Sequence, residues 1–362
     1  MRTITTVMAL SLTLGCGKGK PGSYEMQAAN SDGGDAAAKA AELWENRGDK
    51  ATLEQSLAFY EQVFANDPTN RDAAYHLVRG WYFMGDAHEP ETDAKLAAWD
   101  KAIAFGDMCL NINSGFKETL EKSGNKSEAV KLATIEDVPC IYWTSASLGK
   151  WAKTMGLSKL LAHKQTVFDY VTRVEELQPD YFYGAIYRYW GAYYAGLPSF
   201  AGQDLERSKR MFEKAIEIAP GNLANRVLFA NYWAEKSQSY EVYDEMLQYV
   251  LAADSNILIA ELLPENEAEK VKAKALFEGR TEKFAGEIPE AKPLQNPPPV
   301  AEPEPEPEPE AETTEDGEAP TEGEAPAEGE APAEGEAPAE GEAPSEEADA
   351  AEGSDTETTT EE

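Results

Sequence analysis

Along residues 36–286, apolar positions recur at the three- and four-residue spacing of a helix face. No run of alternating β-branched residues and no Asn-Gly hairpin signal interrupts them. Pro68, Pro139, Pro179, Pro220 and Pro264 fall between the apolar-periodic segments, where helices stop or start. Three segments align on the proline that closes them: residues 57–68, 171–179 and 208–220. Each carries apolar or small residues eight and five positions ahead of that proline: Tyr60 and Val63, Val171 and Val174, Phe212 and Ala215. A fourth segment, 243–255, keeps the apolar pattern but ends on Ser255. Helices that precede these are predicted over residues 40–47, 73–84, 141–155, 183–194 and 223–235. Gly85, Gly156 and Gly196 stand behind three of them, as helix-ending glycines do. A last amphipathic segment, 265–284, is predicted to cap the open end of the stack. The pattern predicts an all-α protein.

The proline-terminated segments resemble the second helix of a tetratricopeptide repeat, most closely at Phe212, Ala215 and Pro220. That resemblance implies an irregular tetratricopeptide-repeat-like helical solenoid of four or five helix pairs over residues 39–286. Insertions at 86–93 and 197–204 lengthen the turns beyond a plain 34-residue unit.

Charge divides the chain further. Of 67 acidic residues, 25 lie in residues 301–362, which hold no Lys, Arg or aromatic residue. The preceding 300 residues carry 42 acidic and 32 basic groups, a net charge of −10 within the −35 of the whole. An acidic body with an acidic tail repels polyphosphate, which argues against nucleic-acid binding. Residues 287–362 run from a Pro triplet through alternating Glu-Pro. Five copies of Gly-Glu-Ala-Pro-(Thr/Ala/Ser)-Glu then follow at 317–346. Such a segment cannot bury a core and is expected to be a disordered acidic tail, a spacer or bristle.

At the other end, residues 1–15 pair a basic start with an apolar stretch too short to span a bilayer, followed by Cys16. The arrangement resembles a bacterial lipoprotein signal, although Thr13 stands where that pattern has Leu. It implies lipid attachment at Cys16. An ordinary secretory signal with an incidental cysteine is the competing reading. Residues 16–38 are expected to be a flexible tether. Gly17, where an inner-membrane retention signal has Asp, points to the outer membrane facing the periplasm. Cys109 and Cys140 suit either a disulfide or two small buried thiols.

Signs of catalysis are missing. His76, His88 and His163 have no metal-ligand spacing, and no Cys-x-x-Cys, phosphate loop, dinucleotide fingerprint or Gly-x-Ser-x-Gly elbow is present. The chain is expected to be no enzyme and to need no metal or cofactor. Two stretches are unusual for generic repeats: Ile141 to Trp151, with Trp143, Ser147 and Trp151 on one helix face, and Tyr183 to Pro198. In the latter, Tyr183, Tyr187, Trp190 and Tyr194 share a face. With residues 202–205, 220–223 and 229–232, they resemble the TatT family, lipoprotein T components of TRAP (tripartite ATP-independent periplasmic) transporters. The resemblance covers roughly residues 36–284 and leaves out the acidic tail.

The resemblance implies a lipoprotein that docks a periplasmic solute-binding protein and helps move a small organic, acidic or hydrophobic, ligand through an apolar cavity. It allows a homotrimer. The alternative function is a general repeat scaffold for envelope protein assembly. The aromatic faces and Ser147 are candidates for a ligand passage or partner face, set against ordinary core packing. Lys150 could meet a ligand carboxylate, sit over a ring or reach solvent, and Arg188 invites the same readings.

Overall fold

The computed structural model describes residues 20–26, 33–286, 288–290 and 292–299. The leader 1–15, Cys16 and the acidic repeat at 317–346 lie outside the described residues. Among those residues there are thirteen α-helices and no strand. In chain order they are α1 (Gly33–Trp44), α2 (Lys50–Asn66), α3 (Arg71–Phe83), α4 (Thr92–Leu110) and α5 (Ser114–Ser123). Next come α6 (Lys126–Ala129), α7 (Val138–Met155), α8 (Leu157–Leu177) and α9 (Ala185–Gly196). The last are α10 (Leu205–Ile218), α11 (Ala224–Leu228), α12 (Tyr240–Ala252) and α13 (Leu263–Glu278). No described helix is long and apolar enough to cross a membrane.

Side-chain chemistry sets the helix starts. Asp49, Asn70, Asn113 and Asp204 each accept the backbone N–H three residues on, satisfying a donor that has no partner within the helix. Pro139 and Pro264 occupy the first turns of α7 and α13, where a missing N–H costs nothing. Two helices run on into wider π turns, Met84–His88 after α3 and Phe229–Ala234 after α11.

Helices adjacent in sequence pack together: α1 on α2, α3 on α4, α7 on α8, α9 on α10, and the π turn after α11 on α12. α7 also contacts α3 and α4, which puts it deep in the core. Phe64, Phe105, Tyr170, Phe212 and Tyr243 are fully buried, each such side chain contributing about 1.5–3 kcal/mol. The α9–α10 approach requires glycine: a Cβ on Gly191 would lie 2.7 Å from the Phe212 ring. A disulfide joins Cys109 at the end of α4 to Cys140 in the first turns of α7.

Three features differ from the sequence reading. α4 and α5 were not anticipated. α4 buries five consecutive residues, Ala102, Ile103, Ala104, Phe105 and Gly106, and so lacks a single apolar stripe. α1 begins at Gly33, inside the expected tether. Residues 20–26 lie along α4: the Gly22 N–H donates to Asp100 (2.7 Å) and the Tyr24 ring rests on Phe105 at 5.5 Å. Tyr24 is the apolar anchor that the composition of residues 16–38 obscures.

α13 reaches back across the molecule. Besides α11 and α12 it contacts the π turn after α3. Its Glu265 accepts from Arg47 (2.7 Å) and from Arg79 (3.0 Å), joining residues 218 and 186 positions apart.

Candidate functional site

A cavity of about 430 Å³ lies where α3, α7, α8, α9, the run after α11, and α13 converge. α7 turns Tyr142, Ala146, Gly149 and Lys153 toward it, a spacing of four, three and four that keeps one face of a helix. α9 adds Tyr189, Ala192, Tyr193 and Gly196. Small residues alternate with rings on both helices, so the space between the backbones is not filled. Tyr189 Oη donates to the Ser145 carbonyl (2.8 Å), and a Cβ on Gly149 would lie 2.9 Å from that oxygen. Glycine at 149 therefore lets the ring lie against α7.

The chain is strained beside this wall. Phe182, Tyr183 and Gly184 take φ values of 49°, 55° and 76°, three successive left-handed residues of which only one is glycine. Contacts hold them there. The Phe182 ring meets Trp143 edge-on at 5.1 Å and lies 4.8 Å from the Arg79 guanidinium, while Tyr183 Oη donates to Glu261 (2.8 Å).

Both π turns place a polar side chain in the cavity. Asp86, on the first, accepts from Lys150 of α7 and Lys272 of α13; Lys272 also donates to Glu269 (2.8 Å). Burial pushes the Asp86 carboxyl up, but the two ammonium groups outweigh it and hold the carboxyl well below the usual carboxylate range. Burial likewise disfavours the charges on Lys150 and Lys272, yet Asp86 holds both above the ordinary lysine value. Tyr232, on the second π turn, has the Lys153 ammonium 3.8 Å from its ring centre. Burial raises its hydroxyl, and Lys153 with Lys150 more than offsets this, leaving it below its ordinary value.

Arg188 on α9 is 7% exposed and faces the same space. It donates to Asn225 Oδ1 (2.7 Å) and Tyr142 Oη (3.2 Å), both neutral. An aromatic wall with fixed cations suits binding of a small molecule that has an apolar body and a polar end.

Of the residues singled out from sequence, Trp143, Lys150 and Arg188 line this cavity, with the Lys150 charge engaged by Asp86. Ser147 is buried and donates to the Trp143 carbonyl (2.8 Å). Trp151 packs in a separate cluster with Trp99, Ile103 and Val167. Trp190 donates to Glu175 (2.9 Å) and stacks on Tyr194, whose ring also carries the Arg207 guanidinium at 4.3 Å. Tyr183 bonds Glu261, and Tyr187 is half-buried away from the cavity lining. The sequence reading missed Tyr142, Lys153, Tyr189 and Tyr193. The signal that marks them is the small residues at helical spacing between rings: Ala146 and Gly149, Ala192 and Gly196. Asp86 and Tyr232 carry no such signal, because π turns break the 3.6-residue count.

Compared with known families, residues 51–284 match the one described as TRAP transporter T-component, a span that contains every residue of the cavity wall. No curated protein matches the chain.

Proposed function

The chain belongs to the TRAP transporter T-component family, and from that premise we propose that it docks a periplasmic solute-binding protein and receives its ligand. The family makes it an accessory component of a TRAP transporter. In the proposed role it is not an enzyme; it takes a small organic ligand, acidic or hydrophobic, into the cavity between α7, α9 and α13 and helps move it across the periplasm. The helix pairs act as an irregular tetratricopeptide-repeat-like solenoid, as a single chain or a homotrimer. Lipid on Cys16 tethers it to a bacterial membrane, the outer rather than the inner, facing the periplasm, with the acidic tail as a disordered spacer.

The observation that carries this reading is the cavity itself. A scaffold that only organises partners needs an outer face, and burying rings on all sides is the more stable arrangement. Here helices bearing Tyr142, Trp143 and Tyr189 stand apart around about 430 Å³ of open space. Affinity purification of the full chain from its host envelope, after mild crosslinking, tests the reading. It predicts recovery of the solute-binding protein encoded with the transporter's membrane subunits. Recovery of secretion or assembly proteins in its place would favour the scaffold.

A further inference from the structure

Resting on the ligand-bearing role above, we propose that the cavity selects amphiphilic monocarboxylates, with Arg188 as the counter-ion of the carboxylate and the aromatic wall as the seat of the apolar body.

The charges on the wall lead to this. Its three carboxylates are already engaged: Asp86 by Lys150 and Lys272, Glu269 by Lys272, and Glu265 by Arg47 and Arg79. Arg188 is not engaged in this way. Among the described residues its partners are the Asn225 carbonyl and the Tyr142 hydroxyl. Asn225 is itself fixed, since its amide donates to the carbonyls of Ala215 (2.9 Å) and Ala219 (3.1 Å) and its oxygen is thereby turned to the guanidinium. Asn225, which does not line the cavity, thus holds Arg188 from behind, while the bond to Tyr142 runs along the wall itself, and both partners are neutral. A guanidinium has five N–H donors in a planar fork, and two bonds leave donors for a ligand. A buried cation without a counter-charge is costly, and a carboxylate entering the cavity removes that cost.

Composition does not explain the imbalance, because residues 1–300 carry a net charge of −10. Lys153, over Tyr232, and Lys164, which donates to the Ala201 carbonyl, add positive charge to the same wall. Lys150 and Lys272 are taken up by Asp86 and Glu269, so that end of the wall offers no cation to a second negative charge on the ligand. The planar fork matches a carboxylate in two-point contact, and the rings of Tyr142, Trp143, Phe182 and Tyr232 supply apolar surface for the remainder. The volume is in the range of small-molecule pockets.

The test is calorimetric titration of the full chain with decanoate and with decanol, for the wild type, Arg188→Met and Arg188→Lys. Decanoate is expected to bind wild type about 10- to 100-fold more tightly than decanol, the range of a hydrogen bond to a charged group. Arg188→Met is expected to bring decanoate down to the decanol level while leaving decanol unchanged, and Arg188→Lys to recover part of the difference. Without ligand, Arg188→Met is expected to melt somewhat below wild type, because it orphans the buried Asn225 oxygen, and unchanged decanol binding is the check that the cavity stays formed. Undiminished decanoate binding by Arg188→Met would overturn the counter-ion role. Equal binding of decanol and decanoate to wild type overturns the carboxylate class and leaves the cavity reading standing. Binding of neither overturns both, while recovery of the solute-binding protein from the envelope tests docking separately.

Discussion

Asp86 is gripped by ammonium groups from two distant parts of the chain, Lys150 on α7 and Lys272 on α13, so its charge ties the cavity's two sides together. Asp86→Asn is predicted to cost about 3 kcal/mol at neutral pH, because Lys150 is left without a carboxylate in a largely buried site. The pH dependence follows from the directions of the shifts. A carboxyl held below its unfolded value of about 3.9 adds stability that is complete above that pH and lost as pH falls through the folded value. Lys150 and Lys272 are raised, so their share is complete below about pH 10 and lost as pH rises through their folded values. Urea unfolding should show a constant gap between wild type and Asp86→Asn from about pH 5 to about pH 9, narrowing toward about pH 2. A gap that stays constant through the acid range would contradict the assignment. At this scale the sequence pointed to the right helix and, for most residues, to a neighbouring face. Trp143, Ser147 and Trp151 are one helical stripe, and Tyr142, Ala146, Gly149 and Lys153 are the next, about 100° round. Trp143 of the first stripe still reaches the cavity, but it is the small residues Ala146 and Gly149 that mark the second stripe as the one that borders open space along its length.

The helices whose ends are set by local chemistry were legible. α2, α8 and α10 end just ahead of Pro68, Pro179 and Pro220, and α7 and α13 begin around Pro139 and Pro264. α4 was not, since a helix buried on several sides has no polar face to give it a period. α4 is nevertheless central, packing on α3 and α7 and bonded covalently to the latter. The Cys109–Cys140 bridge, with a sequence separation of 31, encloses α5 and α6. Closing a loop of that length removes unfolded-state freedom worth about 3–4 kcal/mol. The double substitution Cys109→Ser with Cys140→Ser is therefore expected to lower the urea midpoint clearly while leaving the helical circular dichroism of the native state in place. A midpoint equal to wild type would show that packing of α4 on α7 suffices without the bond.

Over the whole molecule, the α13 contacts decide whether there is a cavity at all. Arg47 and Arg79 on the N-terminal side reach Glu265 of α13, Arg79 also reaches Glu261 in the turn just before it, and Lys272 reaches Asp86, so the last helix closes onto chain laid down some two hundred residues earlier. Nothing in the local spacing of those residues announces such pairings. Family membership, by contrast, was readable from the aromatic motifs, because these lie in consecutive stretches of α7 and α9. In the proposed role the ligand is handled in this cavity. Ala192 is half-buried on the wall, and Ala192→Phe would fill part of the cavity. The decisive measurement is radiolabelled solute uptake through the transporter in host cells carrying Ala192→Phe, with chain abundance, melting temperature and recovery of the solute-binding protein followed in parallel. The account predicts that uptake falls at least about tenfold, as a filled site loses its ligand, while those three remain at wild-type levels. Uptake at the wild-type rate with the cavity filled would contradict it.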